Sequence, residues 1–256
     1  MVNRRRSILF LLSLMFAPGT TSGEDRRPEL ITIRSGKATL HGHVWRPAGK
    51  GPFAAVLINH GSGRTPDDLK RIGPYEQQSE TLGPVFARHG YVCVFLFRRG
   101  VGPSTDQEGN AVDAMNREFA AHGQSARNAL QLKLLEGREM DDARAALAFE
   151  RPDVDPHRMA IIGHSFGGSL SVLMTEREPT LRAAVVFSLA GYSWDRSPEL
   201  RVRLLEAARR TSVPLLFIHA ENDYSTNSGK SLDSRARSPR KTAPAQDLSG
   251  GGPHRR

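Results

Sequence analysis

The stretch Gly163-His164-Ser165-Phe166-Gly167-Gly168 constrains this chain more than any other. An apolar run at 159–162 leads into it, and a helix-compatible run at 169–174 leads out. A serine therefore stands at the apex of a sharp strand-to-helix turn, with a glycine two residues away on either side. That is the pattern of a nucleophile elbow. The turn holds its serine in a strained backbone conformation, and side chains at 163 and 167 would clash, so glycine is required there. The following helix turns its N-terminal N–H groups toward the point where an oxyanion would develop. The five-letter pattern alone is weak; the strand before it and the helix after it give it meaning.

The rest of the chain supplies a matching frame. Residues 32–45 alternate apolar and polar positions around a Ser35-Gly36 turn, which predicts an antiparallel hairpin at a sheet edge. Residues 53–58 and 91–97 are continuous apolar runs, predicted as buried strands. Cys93 lies in the second of these as a core residue, and a single cysteine excludes an intrachain disulfide. Further strands are predicted at 159–162, 181–189 and 214–219, and helices at 76–89, 167–178 and 198–210. Residues 108–150 read as long, charged and mostly helical, interrupted near Gly123 and Gly137. Periodicity leaves open whether they form a lid or core helices. Strand and helix alternate, which predicts an α/β fold: a mostly parallel sheet with helices on both faces, in one domain over 24–234.

Both ends depart from that frame. Arg4, Arg5 and Arg6 precede an apolar run at 7–17 and small polar residues at 19–23, the layout of a secretory signal peptide over residues 1–23. The apolar run is too short for a mature bilayer span. The expectation is a periplasmic or secreted protein with no stable membrane insertion after cleavage. Residues 235–256 hold a single large apolar residue, Leu248, among Arg, Pro, Ser and Gly, and read as a disordered tail. Charge follows the same division. Three arginines at 1–23 and a surplus of five positive charges at 235–256 carry most of the net +9, which leaves +1 for residues 24–234. A nearly neutral body without interleaved aromatic and basic residues does not point to nucleic acid.

An elbow serine needs a base, an orienting acid and an oxyanion hole. Ser165 is the candidate nucleophile. Asp223 is the candidate acid, because it follows the strand at 214–219 and so reaches the same sheet edge as Ser165; Glu221 competes with it. Asn222 and Tyr224 read as pocket or loop-supporting residues. The backbone of Phe166 is one oxyanion donor, and the small residues Gly61 and Ser62, in the loop after the strand at 53–58, provide the second. Arg98 and Arg99 end the strand at 91–97. They either bind an anionic substrate or form salt bridges to the 108–150 region. His60, His164 and His219 read as structural histidines.

Together these stretches resemble the dienelactone hydrolase family of the α/β-hydrolase superfamily. The resemblance spans roughly 28–232. It rests on Asn59-His60-Gly61-Ser62-Gly63, the segment from Phe97-Arg98-Arg99-Gly100 to Ser104, the elbow, Ser193-Trp194-Asp195, and His219-Ala220-Glu221-Asn222-Asp223-Tyr224-Ser225. It implies an α/β-hydrolase fold, a small-molecule ester substrate, and no metal or organic cofactor. Dienelactone hydrolases proper carry a cysteine where this chain has Ser165, which favours a serine esterase over dienelactone opening. A serine peptidase of the prolyl oligopeptidase type and a hydrolase impaired by loss of its histidine are the alternatives.

The family places its histidine after one further strand and before a last helix. Here the one histidine after Asp223 is His254, in a glycine-rich tail with no strand to deliver it. His254 is the candidate base on chain order alone. The expectation is that a shift of reading frame near Ser234 or Arg235 replaced the last strand, the original histidine and the final helix. Residues 240–250 can be encoded by DNA that reads Gly-Lys-Pro-His-Arg-Leu-Lys-Ile-Tyr-Pro one base along, a strand-like alternation. The 3′ DNA of the gene checks this directly: the shifted frame should encode that strand, and codons that do not would refute it.

Overall fold

The apolar runs assemble into one seven-stranded sheet in the order β1-β2-β4-β3-β5-β6-β7. The computed structural model describes residues 27–63, 68, 73–107, 109–149 and 151–236. Strands β1 (Glu29–Ser35) and β2 (Ala38–Trp45) form the expected antiparallel hairpin at one edge, and β2 pairs antiparallel with β4 (Tyr91–Phe97). Every other pairing is parallel: β4 with β3 (Phe53–Asn59), β3 with β5 (Val154–His164), β5 with β6 (Ala183–Phe187), and β6 with β7 (Leu215–Ile218). Parallel strands place their C-terminal ends along one edge, and that edge carries the loops of the candidate site.

Successive side chains of a strand point to opposite faces, so each buried strand feeds two cores. Val56, Ile58, Cys93, Phe95 and Phe97 pack with Trp45 beneath α1 (Tyr75–Arg88). Burial pushes the Cys93 thiol up to about 12, which fits its core role. Ala55, Leu57, Val92, Val94, Leu96 and Ile161 face the larger core. That core is closed by α2 (Ala111–Glu136), α3 (Arg138–Leu147), α4 (Phe166–Arg177) and α6 (Pro198–Arg210). Met115, Leu134, Leu135, Met140 and Ala143 are all buried, so the 108–150 region is part of the core. Its two interruptions fall at Gly123, which has φ 81 inside α2, and at Gly137, which separates α2 from α3.

Several boundaries differ from the sequence expectation for local reasons. Strand β5 reaches back to Val154, which pairs with Phe53 across a bulge. Strand β6 stops at Phe187 because Ser188 and Ala190 turn left-handed, with φ 51 and 48. Helix α5 (Gly191–Trp194) is too short for a periodic pattern to reveal. Helix α7 (Asn227–Ala236) runs past the expected start of the tail at 235, and its Leu232 is buried in the larger core. The signal peptide expected at 1–23, the rest of the tail and His254 lie outside the described residues.

The sheet is covered unevenly. Phe187, Leu216 and Ile218 share the face that α1 covers farther along, yet they are 37%, 54% and 39% exposed. Among the described residues nothing pairs with the outer edge of β7. An open edge beside uncovered apolar side chains is an association hazard. Leu216→Lys should therefore shift stability by less than about 0.5 kcal/mol, as for an exposed position, and raise solubility. Denaturation midpoints and light scattering check this; a loss of about 2 kcal/mol or more would mean that Leu216 is covered.

Candidate active site

Strand β5 ends at His164 and α4 begins at Phe166, so Ser165 alone makes the turn. Its backbone sits at φ 52 and ψ −109, a conformation that costs about 1–3 kcal/mol in a residue with a side chain. The neighbours hold it there: Ser165 N–H donates to the Phe187 carbonyl at 2.9 Å, and the Ser165 carbonyl accepts from Ser169 N–H at 3.1 Å. The flanking glycines are needed for close approach. A Cβ on Gly167 would overlap the Asn59 carbonyl, and one on Gly163 would overlap the Gly167 carbonyl and reach within 2.5 Å of Ser171 Oγ. The first N–H groups of α4 have no intrahelical partner and are free to act as donors at the site.

Ser165 and Phe166 line a cavity of about 380 Å³, together with Ser62 and Gly63 from the loop after β3 and Asp223 from the loop after β7. Gly61 precedes Ser62 in that loop, where a Cβ would overlap the His164 ring. Asp223 is fixed by its own turn: Oδ1 accepts from Tyr224 N–H at 2.7 Å, and Oδ2 lies 3.3 Å from His219 Nδ1. Glu221 and Asn222 are exposed and outside the cavity lining, whereas Tyr224 lines it. Of the two competing acids, Asp223 is the one that shares the cavity lining with Ser165.

The histidines separate clearly. His60 is buried, with Nδ1 2.7 Å from the Gly61 carbonyl and Nε2 accepting from Arg98 N–H at 3.4 Å. Its ring packs against Tyr75 and stacks on Phe95. Burial, then the Arg98 charge, hold its pKa well below 6.5. His219 faces Asp223 through Nδ1 and Ser228 Oγ through Nε2, the latter at 3.5 Å, and lies outside the cavity lining. His164 lines the cavity; burial lowers its pKa, and the Asp223 charge opposes that shift. Among the described residues no side chain hydrogen-bonds Ser165 Oγ.

Arg98 and Arg99 choose the salt-bridge alternative. Arg99 forms a bidentate pair with Asp142, both contacts at 2.8 Å, and Arg98 Nε lies 3.2 Å from Glu139 Oε2. Arg98 and Glu139 are both buried, and breaking such a pair costs about 3–5 kcal/mol because one charge is left uncompensated. Burial lowers the Arg98 pKa, and Glu139 opposes the shift. The cavity wall also includes Arg127 and Gln131 from α2 and Tyr192 and Ser193 from α5. Sequence reasoning missed Arg127 and Gln131, although their i, i+4 spacing puts them on one helix face. Their burial depends on α5, which the sequence does not reveal. Among the described residues no three His, Cys, Asp or Glu side chains come together as a metal site.

A family model described as the dienelactone hydrolase family matches residues 72–244. No curated protein matches the sequence. Among solved structures, the fold is similar to that of Pyrococcus horikoshii acylaminoacyl peptidase, with a TM-score of 0.55 at 17% identity. The alignment covers 82% of this chain and 35% of the peptidase, so the chain spans about a third of that protein's length. A Klebsiella pneumoniae protein described as a dienelactone hydrolase has a TM-score of 0.50 at 17% identity, covering 82% of this chain and 80% of its own. Porphyromonas gingivalis dipeptidyl peptidase 4 has a TM-score of 0.53 at 18% identity, covering 81% of this chain and 30% of the peptidase. These likenesses identify the fold as that of the α/β-hydrolases.

The buried, neutral His60 makes stability depend on pH. Below about pH 6.5 the unfolded chain binds a proton at this position that the folded chain does not. Stability should therefore fall on acidification, by about 1.4 kcal/mol per pH unit from this group. Urea denaturation from neutral to mildly acidic pH checks this against His60→Asn, which should be shallower by that slope; equal slopes would contradict it.

Proposed function

The chain belongs to the dienelactone hydrolase family, and from that premise we propose that it hydrolyses carboxylic esters through an acyl-enzyme on Ser165. The observation that carries this reading is a strained Ser165 at a cavity that also holds Asp223 and Ser62. A histidine oriented by Asp223 takes the Oγ proton as Oγ attacks the ester carbonyl. The tetrahedral oxyanion accepts from Phe166 N–H and from the Gly61 and Ser62 backbone. As the carbonyl re-forms, the C–O bond to the alcohol breaks and the histidine returns its proton to the leaving oxygen. Water, deprotonated by the same histidine, then attacks the acyl group and releases the acid and Ser165. His254 is the base in this reading, as the one histidine that follows Asp223. The substrate is a small ester, and the proposed setting is the periplasm or the cell exterior, on the strength of residues 1–23.

A second reading, a hydrolase slowed by loss of its base, is favoured by one observation. Among the described residues no histidine reaches Ser165 Oγ, and the outer edge of β7 is unpaired. The prolyl oligopeptidase-type alternative draws only on a shared fold, and a p-nitroanilide peptide substrate separates it from an esterase.

Hydrolysis of p-nitrophenyl acetate decides between the two main readings. Ser165→Ala should lower kcat by at least about 10³-fold. With His254 as base, His254→Ala should lower it comparably, and kcat/KM should fall on acidification as the base takes up a proton. A rate that climbs in proportion to hydroxide and ignores His254→Ala identifies the impaired hydrolase. Activity that survives Ser165→Ala refutes the nucleophile.

A further inference from the structure

Arg98 is buried at the end of β4 and touches both halves of the proposed oxyanion hole. Its Nη1 donates to the His60 carbonyl, and its Nη2 donates to the Gly61 carbonyl at 3.1 Å. Its guanidinium carbon lies 5.0 Å over the Phe166 ring. Nε faces Glu139 of α3, and the Arg98 backbone N–H donates to His60 Nε2.

The two carbonyls that Arg98 grips have a direct meaning for catalysis. The His60 carbonyl belongs to the peptide unit whose N–H is that of Gly61. The Gly61 carbonyl belongs to the unit whose N–H is that of Ser62. In a planar trans peptide the C=O and N–H point in opposite directions. Holding each oxygen therefore fixes where the N–H at the far end of the same plane points, on the side away from the guanidinium. A positive charge on each oxygen also polarises the unit and makes its N–H a stronger donor. A glycine loop would otherwise pay the entropy of ordering those planes when the oxyanion forms.

We propose that Arg98 is the positioning residue of the oxyanion hole: its guanidinium, anchored by Glu139, fixes and polarises the peptide planes that present the Gly61 and Ser62 N–H groups. This rests on Ser165 being the nucleophile. Arg98 touches no reacting atom; it acts through two peptide units and over Phe166. Nor does it line the cavity that holds Ser165, so it is not placed to read an anionic substrate there.

Phosphonylation of Ser165 by a fluorophosphonate, followed by mass spectrometry on folded full-length protein, tests this. The adduct is tetrahedral, with its oxygen in the oxyanion position, so the labelling rate reports the hole. Arg98→Met should label about 100-fold more slowly than the parent. Arg98→Lys keeps the charge but loses the fork and should fall between the two. In ester hydrolysis both variants, normalised to the folded fraction, should lower kcat while KM moves less than about threefold. Melting curves establish the folded fraction; if Arg98→Met does not fold, Arg98→Lys carries the test. Folded variants that label at the parent rate overturn the role of Arg98 and leave the nucleophile standing. A parent that labels no faster than Ser165→Ala overturns both.

Discussion

The close approach of α4 to the ends of β3 and β5 is the contact on which the rest of the site depends. The first turn of the helix lies so near the Asn59 carbonyl that only glycine fits at 167, and the matching clearance at 163 also requires glycine. This contact drives the chain through Ser165 in a conformation worth about 1–3 kcal/mol of strain. It also brings the free N–H groups of α4 beside the loop after β3. The proposed nucleophile and oxyanion donors are thus set by one packing arrangement in the middle of the sheet.

A second layer of charge keeps that arrangement in register. Arg98 and Arg99 leave β4 side by side and pair with Glu139 and Asp142 on α3. Buried pairs of this kind add little net stability, since desolvation offsets most of the Coulomb gain. Their value is directional: a guanidinium that must satisfy Glu139 and two backbone carbonyls at once has few positions open to it. The 108–150 region therefore supplies part of the core, a wall of the cavity, and the counter-charges behind the oxyanion loop.

Much of this was legible in the sequence because the requirements are local. Gly163, Ser165 and Gly167 encode their own turn, and unbroken apolar runs mark β3 and β4. The place of Asp223 on the cavity wall follows from its position after a strand. The partners of Arg98 and Arg99 were not legible, since Asp142 lies 43 residues beyond Arg99 and only the fold brings them together. Helix α5 is too short to leave a period, and its absence from the sequence reading hid the burial of Arg127 and Gln131. The base was the least legible part. Chain order points to His254, yet no strand pattern delivers it; among the described histidines His60 is engaged with Gly61 and Arg98, His219 with Asp223 and Ser228, and His164 lines the cavity without a hydrogen bond to Ser165 Oγ.

The central claim is that Ser165 forms a covalent acyl intermediate, and a base that is weak or lost would slow release of the acyl group and let that intermediate accumulate. Peptide mass mapping after brief exposure to p-nitrophenyl acetate and an acid quench tests it most directly. The expected result is a single acetyl group on the peptide that contains Ser165, absent from Ser165→Ala. Acetylation at another residue, or equal acetylation of both proteins, would contradict it.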